Sequence, residues 1–154
     1  MLPMPQGFEL LTTFFSRPAC QRATEPLRKG TEIAIIVDGQ AACLRRTKEG
    51  MAVEKSASEN PDMTFTLSSS VLKTLVDHPT EDIGEIGIGI VKAITHAEPE
   101  QRMGVKVHIG PLDLFLHGYL GVLPLGGASL MKFLASKGLT GISKIKEGIA
   151  RFRE

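Results

Sequence analysis

Read for period alone, the chain changes rhythm several times. Residues 7–15 (GFELLTTFF) form a short apolar helix, and residues 22–30 (RATEPLRKG) a capped helical turn that ends at Gly30. From Thr31 the period drops to two. The β-branched run 33–37 stops at Asp38-Gly39, a dipeptide that readily takes the positive φ angles of a tight hairpin. A second strand, 40–46, ends at the turn Lys48-Glu49-Gly50. A third, 51–55, sets Met51 and Val53 against Ala52 and Glu54. After Asn60-Pro61-Asp62, residues 63–67 alternate Met63, Phe65 and Leu67 with Thr64 and Thr66, which predicts a strand with one buried and one wet face.

Helical spacing returns at Ser68, which suits an N-cap. Val71, Leu72, Leu75 and Val76 follow on one side, and Pro79 stops the helix. Thr80 can cap the next helix, with Glu81 and Asp82 where the helix dipole favours carboxylates. Ile83, Ile86, Ile90 and Ile94 recur at helical spacing, but Gly84, Gly87 and Gly89 leave residues 86–91 open to either helix or strand. Val105, Val107 and Ile109 then alternate with Lys106 and His108, a fifth strand.

Pro111 ends that strand and suits the first turn of a helix. Leu112, Phe115, Leu116, Tyr119, Leu120 and Leu123 are spaced as one helical stripe, with Gly118 and Gly121 opposite. Pro124 and Gly126-Gly127 break it, and a second apolar helix follows over 128–136. A last helix after Thr140 sets Ile142, Ile145, Ile149 and Phe152 among Lys and Arg. Between Asp113 and Lys132 the chain carries no Asp, Glu, Lys or Arg. Such a run fits a membrane span, a core element or the wall of an apolar binding site. A span is disfavoured, because Pro124 and the glycine pair would leave unsatisfied backbone in hydrocarbon. Core and wall both stay open on the residues alone.

Composition narrows the function. At 154 residues the chain is expected to be one domain, with a sheet-containing core over 31–109 and C-terminal helices over 110–154. Seven Phe, one Tyr, no Trp and a net charge of +1 lack the stacking platforms and basic excess of a nucleic-acid binder. The charge is uneven. Residues 132–154 hold six basic side chains against two acidic ones, a net of +4, and the rest of the chain carries −3. On the amphipathic C-terminal helix, Lys144, Lys146 and Arg151 are therefore candidates for an anionic membrane surface.

Candidate chemistry is sparse. Cys20 and Cys43 make neither a disulfide framework nor a metal site. No two of His78, His96, His108 and His117 are spaced at i,i+3 or i,i+4, and no HExxH or GxSxG motif occurs. The run GEIGIGIV has its glycines in the wrong order for a phosphate loop and lacks a preceding parallel strand. The residues thus call for no metal, no cofactor and no catalytic role. Glu9 within the first apolar stretch, with no Lys or Arg before it, is unlike a secretory signal. The expected location is cytoplasmic, with peripheral contact at a membrane.

The order of elements, and above all NPDMTFTLSSSVLKTLVDHPTEDIGEI over residues 60–86, resembles the sterol carrier protein type-2 family. An aspartate-led alternating strand there runs into a capped helix and then a second helix with an acidic opening. The likeness covers residues 31–109. It implies an α+β fold, with an approximately five-stranded, mainly antiparallel sheet covered on one face by helices, and here an extended apolar and amphipathic helical C-terminus. It also implies a lipid or isoprenoid ligand in an apolar tunnel between sheet and helices. Phe65, Leu67, Leu72, Leu75, Ile90 and Ile94 would form the tunnel wall with Leu112, Phe115, Leu116, Tyr119, Leu120 and Leu123. The rival reading is an interaction or dimerisation module, using the same apolar surface against a partner or a second copy.

Overall fold

The computed structural model describes residues 3–78 and 80–136. Helices α1 (Pro3–Phe15) and α2 (Pro18–Ala23) lead into three strands, β1 (Glu32–Val37), β2 (Gln40–Thr47) and β3 (Gly50–Glu54). Strand β4 (Met63–Leu67) follows, then helices α3 (Ser69–Asp77) and α4 (Ile83–Ile94), strand β5 (Gly104–Val107), and helices α5 (Pro111–Leu116) and α6 (Gly127–Ser136). The sheet runs β3-β2-β1-β4-β5. Only the β1–β4 pairing is parallel, so the sheet is mixed and mainly antiparallel, and the fold is α+β.

Turn chemistry sets the register. Asp38 (φ 50°) and Gly39 (φ 81°) are both left-handed, the backbone of a two-residue hairpin whose twist matches its strands. Val37 consequently pairs with Gln40, and Ile33 with Leu44. The same face continues through Ile33–Met63, Ile35–Phe65 and Val37–Leu67 into β4. It then reaches Val107 and Val105 of β5. Ile33, Ile35, Val37, Leu44 and Leu67 are buried there with Leu11 of α1, Val71 and Leu72 of α3 and Ala93 of α4. Each fully buried aliphatic side chain contributes roughly 1.5–3 kcal/mol.

The opposite face is wet, as the hydroxyl alternation of β4 predicts. Arg45 bridges Glu32 at 3.0 Å and Glu54 at 3.2 Å across three strands. The β3–β4 connection crosses this face, where Ser58 Oγ donates to Glu32 at 2.6 Å and, with Arg45, holds that carboxyl below its ordinary range. Edge strand β3 is covered by a side chain: Gln21 donates to the Met51 carbonyl and accepts from the Met51 N–H at 3.0 Å.

Ser68 caps α3 by accepting from Val71 N at 3.2 Å. Asp82, rather than Thr80, caps α4 by accepting from Gly84 N at 2.9 Å. Thr80 instead accepts from Asp82 N at 3.1 Å, bracing the cap from outside. Residues 86–91 are helical, and the fifth strand begins one residue before Val105 and ends at Val107.

The stripe expected over 112–123 is not continuous. Helix α5 ends at Leu116, Gly118 turns left-handed (φ 94°), and two tight helical turns follow, Tyr119–Gly121 and Leu123–Gly126. Gly118 is required there, since a Cβ would lie 1.9 Å from the Pro26 carbonyl oxygen. Asp62, 6% exposed, fixes the turn. Its Oδ2 accepts from His117 Nδ1 at 2.7 Å and from the Tyr119 hydroxyl at 3.0 Å. On its other side His117 Nε2 lies 2.9 Å from Arg28 Nη2, and Arg28 N donates to the His117 carbonyl at 2.8 Å. With Arg28 as the donor, the imidazole is the neutral tautomer that carries its proton on Nδ1. Burial and the Asp62 carboxylate push the Tyr119 phenol far above its ordinary value.

Asp62→Ala removes the shared acceptor and should cost about 3 kcal/mol in urea denaturation, against about 1 kcal/mol for Tyr119→Phe; equal losses would remove Asp62 from its central place. Burial also pushes the Cys20 thiol up from 9.0 to about 11. The folded state therefore holds that proton more tightly than the unfolded chain. The stability this gives is complete below the unfolded value and is lost as pH rises towards 11. The melting temperature should fall over that alkaline window, and less steeply in Cys20→Ala.

Candidate functional site

The two caps that start α3 and α4 also aim their facing sides. From Ser68, residues Val71, Thr74, Leu75 and His78 fall on one side of α3. From Asp82, residues Glu85, Ile86, Gly89, Lys92, Ala93 and His96 fall on the facing side of α4 and its end. Between them is a half-open cleft of about 500 Å³, closed off by Phe14 of α1 and bordered by Ile88 and Gln101. That volume lies in the range of small-molecule sites.

The lining is divided by polarity. Phe14, Val71 and Ala93 are buried, with Leu75, Ile86 and Ile88 half-buried beside them. Phe14 is held edge-on by Phe15 at 5.2 Å and faced by the Arg17 guanidinium at 5.9 Å, while Arg17 donates to the Val76 carbonyl of α3. Thr74, His78, Glu85, Lys92, His96 and Gln101 are exposed at the cleft's borders. Glu85 accepts from the Thr80 hydroxyl at 2.5 Å and stands 3.9 Å from His78 Nε2. Lys92 Nζ sits 6.0 Å from the centre of the Phe133 ring. An apolar interior with hydrogen-bonding groups of both charge signs at its edge suits an amphiphilic molecule.

The glycines of α4 explain why there is room. A Cβ on Gly87 would come within 3.3 Å of Leu130 of α6, so this glycine lets α6 seat closely. A Cβ on Gly89 would touch only Leu75, at 3.5 Å, an ordinary contact; its missing side chain is part of the cleft's volume.

Of the wall residues expected from the sequence, Leu75 lines this cleft. Leu67 and Leu72 are buried in the core, and Phe65, Ile90, Ile94 and Tyr119 are half-buried against it. Leu112 and Leu116 are exposed. The side chains of Phe115, Leu120 and Leu123, and residues Lys144, Lys146 and Arg151, lie outside the described residues. Phe14, Val71, Ile86 and Gly89 line the cleft as well, beyond the wall residues expected from the sequence. The signal for α3 was present in the spacing 71, 74, 75, 78, and for α4 in glycines placed where a core helix would carry larger residues. Among the described residues, no group of three or more His, Cys, Asp or Glu could hold a metal ion, and no helix is long and apolar enough to cross a membrane.

No family model matches the chain, and no curated protein matches it. Among solved structures it is similar to one described as "UbiJ-SCP2 Ubiquinone synthesis protein", at 20% identity and a TM-score of 0.43, over 80% of this chain and 96% of that one.

Gly89→Ala tests whether the cleft is space the fold does not need. The substitution should fold normally and gain about 0.5–1 kcal/mol of helix stability in urea denaturation. A loss instead would show that Gly89 is required for close packing.

Proposed function

We propose that the chain binds a lipid or isoprenoid non-covalently in the cleft between α3 and α4, and holds or passes it without reacting on it. The observation that carries this reading is the division of that cleft, with Phe14, Val71, Leu75, Ile86, Ile88 and Ala93 within and ionisable groups at its border. Binding needs no catalytic group. Each methylene moved out of water into such a site contributes ~0.8 kcal/mol, so about ten carbons give roughly 8 kcal/mol before ordering costs. The border groups would then face the polar end of the molecule. A tunnel running on between helices and sheet belongs to the same proposal. Phe65 and Met63 support it, being inner-face residues only half-buried.

Purification without detergent, followed by organic extraction and mass spectrometry, should recover a lipid in near-stoichiometric amount. Gly89→Phe, which fills the cleft, should lower that yield and the uptake of a fluorescent fatty-acyl probe at least about tenfold, a loss expected for a blocked apolar site, while Gly89→Ala stays close to the parent. A parent chain that carries no lipid and takes up no probe would end the proposal. A Gly89→Phe variant that binds as well as the parent would move the site elsewhere.

A further inference from the structure

Exposed apolar surface is unevenly placed. Among the described residues the exposed large hydrophobic side chains are Leu112 at 71%, Leu116 at 57%, Leu125 at 43% and Met131 at 40%. All fall within the stretch 112–131, although six helices and five strands were available to share them. Isolated exposed leucines are ordinary on a protein surface, whereas two large ones sharing one side of a short helix invite a partner.

The segment is two-sided. Leu114, Leu130 and Leu134 point into the protein and are buried, so it is anchored. Leu112 and Leu116 lie one turn apart on α5 and so share a side, away from buried Leu114. The Asp62–His117–Arg28 contacts and the left-handed Gly118 fix where α5 ends.

Charge identifies the occupant. Arg28 sits against His117, directly after Leu116, and is exposed, as are Lys29 and Lys132. Asp113 is the one acidic residue of the stretch. From Lys132 onward the sequence adds a net +4, six basic against two acidic residues. Leucines flanked by cations match an anionic bilayer surface, where apolar side chains enter the acyl boundary and cations meet phosphates. A second copy fits less well, because a symmetric interface through Leu112 and Leu116 would bring the exposed Arg28 of each copy towards the other.

We propose that Leu112 and Leu116 of α5 insert into the outer part of an anionic bilayer, with the neighbouring exposed Arg28 and Lys29 on its headgroups. The proposal is independent of what the cleft between α3 and α4 holds. Co-sedimentation with vesicles of three parts phosphatidylcholine to one part phosphatidylglycerol tests it. The full chain should bind them, and more weakly as salt is raised. The double variant Leu112→Ser, Leu116→Ser should bind at least about tenfold more weakly with an unchanged melting temperature, since neither side chain is buried. The chain has no Trp, so Leu116→Trp supplies a single tryptophan whose emission can be excited apart from Tyr119. Its emission should shift to the blue on these vesicles, while that of Lys48→Trp, in the β2–β3 turn, should not.

Failure of the full chain to bind, undiminished binding by the double variant, or an unshifted Leu116→Trp emission would each overturn the proposal. So would concentration-dependent dimerisation that the double variant abolishes in a chain indifferent to vesicles; that result would assign the face to a second copy.

Discussion

A buried carboxylate decides where the most apolar stretch of the chain goes. Asp62 stands at the head of β4, its backbone already paired on both sides: its N–H donates to Glu32 and its carbonyl accepts from His108. Its side chain thus has a fixed origin, and the two donors it accepts from, His117 and Tyr119, must come to it. A buried carboxylate without partners would be costly, so the chain after α5 is drawn to the end of the sheet. Gly118 permits the fold-back and Arg28 closes it from the other side. The apolar segment therefore runs on past α5 as turns and α6 instead of lying as one long helix.

Helix α4 shows how a sequence can trade side chains for shape. Its glycines weaken it as a helix, yet two of them face different neighbours with different results. At Gly87 the missing side chain is filled by Leu130, which joins α6 to α4. At Gly89 it is left open towards Leu75, and the opening is part of the cleft. The same substitution of glycine for a larger residue thus creates a contact on one side and a vacancy on another.

The strands could be read from the sequence because each was fixed locally: a period of two, a turn dipeptide at 38–39, a proline and aspartate before 63. The serine cap of α3 was equally local. What the sequence hid depended on distant partners. Residues 86–91 suited helix or strand until Asp82 supplied the cap and Leu130 the packing. The stripe over 112–123 was a correct count of spacing that failed at Gly118, which turns left-handed where Pro26, far away in the chain, leaves no room for a Cβ. The cleft was hidden for a similar reason. Its position depends on how α3 and α4 sit against Phe14 of α1, and no residue pattern within either helix states that.

Helix α6 is placed to connect the two apolar surfaces. Leu130 is held in the Gly87 notch on α4, while Met131, the next residue, points to solvent. One turn from Leu130, Phe133 receives Lys92, a border residue of the cleft, against its ring. Whatever engages the outward side of α6 therefore acts on a helix already seated against one wall of the cleft. Because close-packed contacts do not deform continuously, a shift of α6 must either carry α4 with it or lift Leu130 out of its notch. In the first case the distance from α4 to Leu75 of α3, across the cleft, is the quantity that changes, and in the second α4 and the cleft stay as they are.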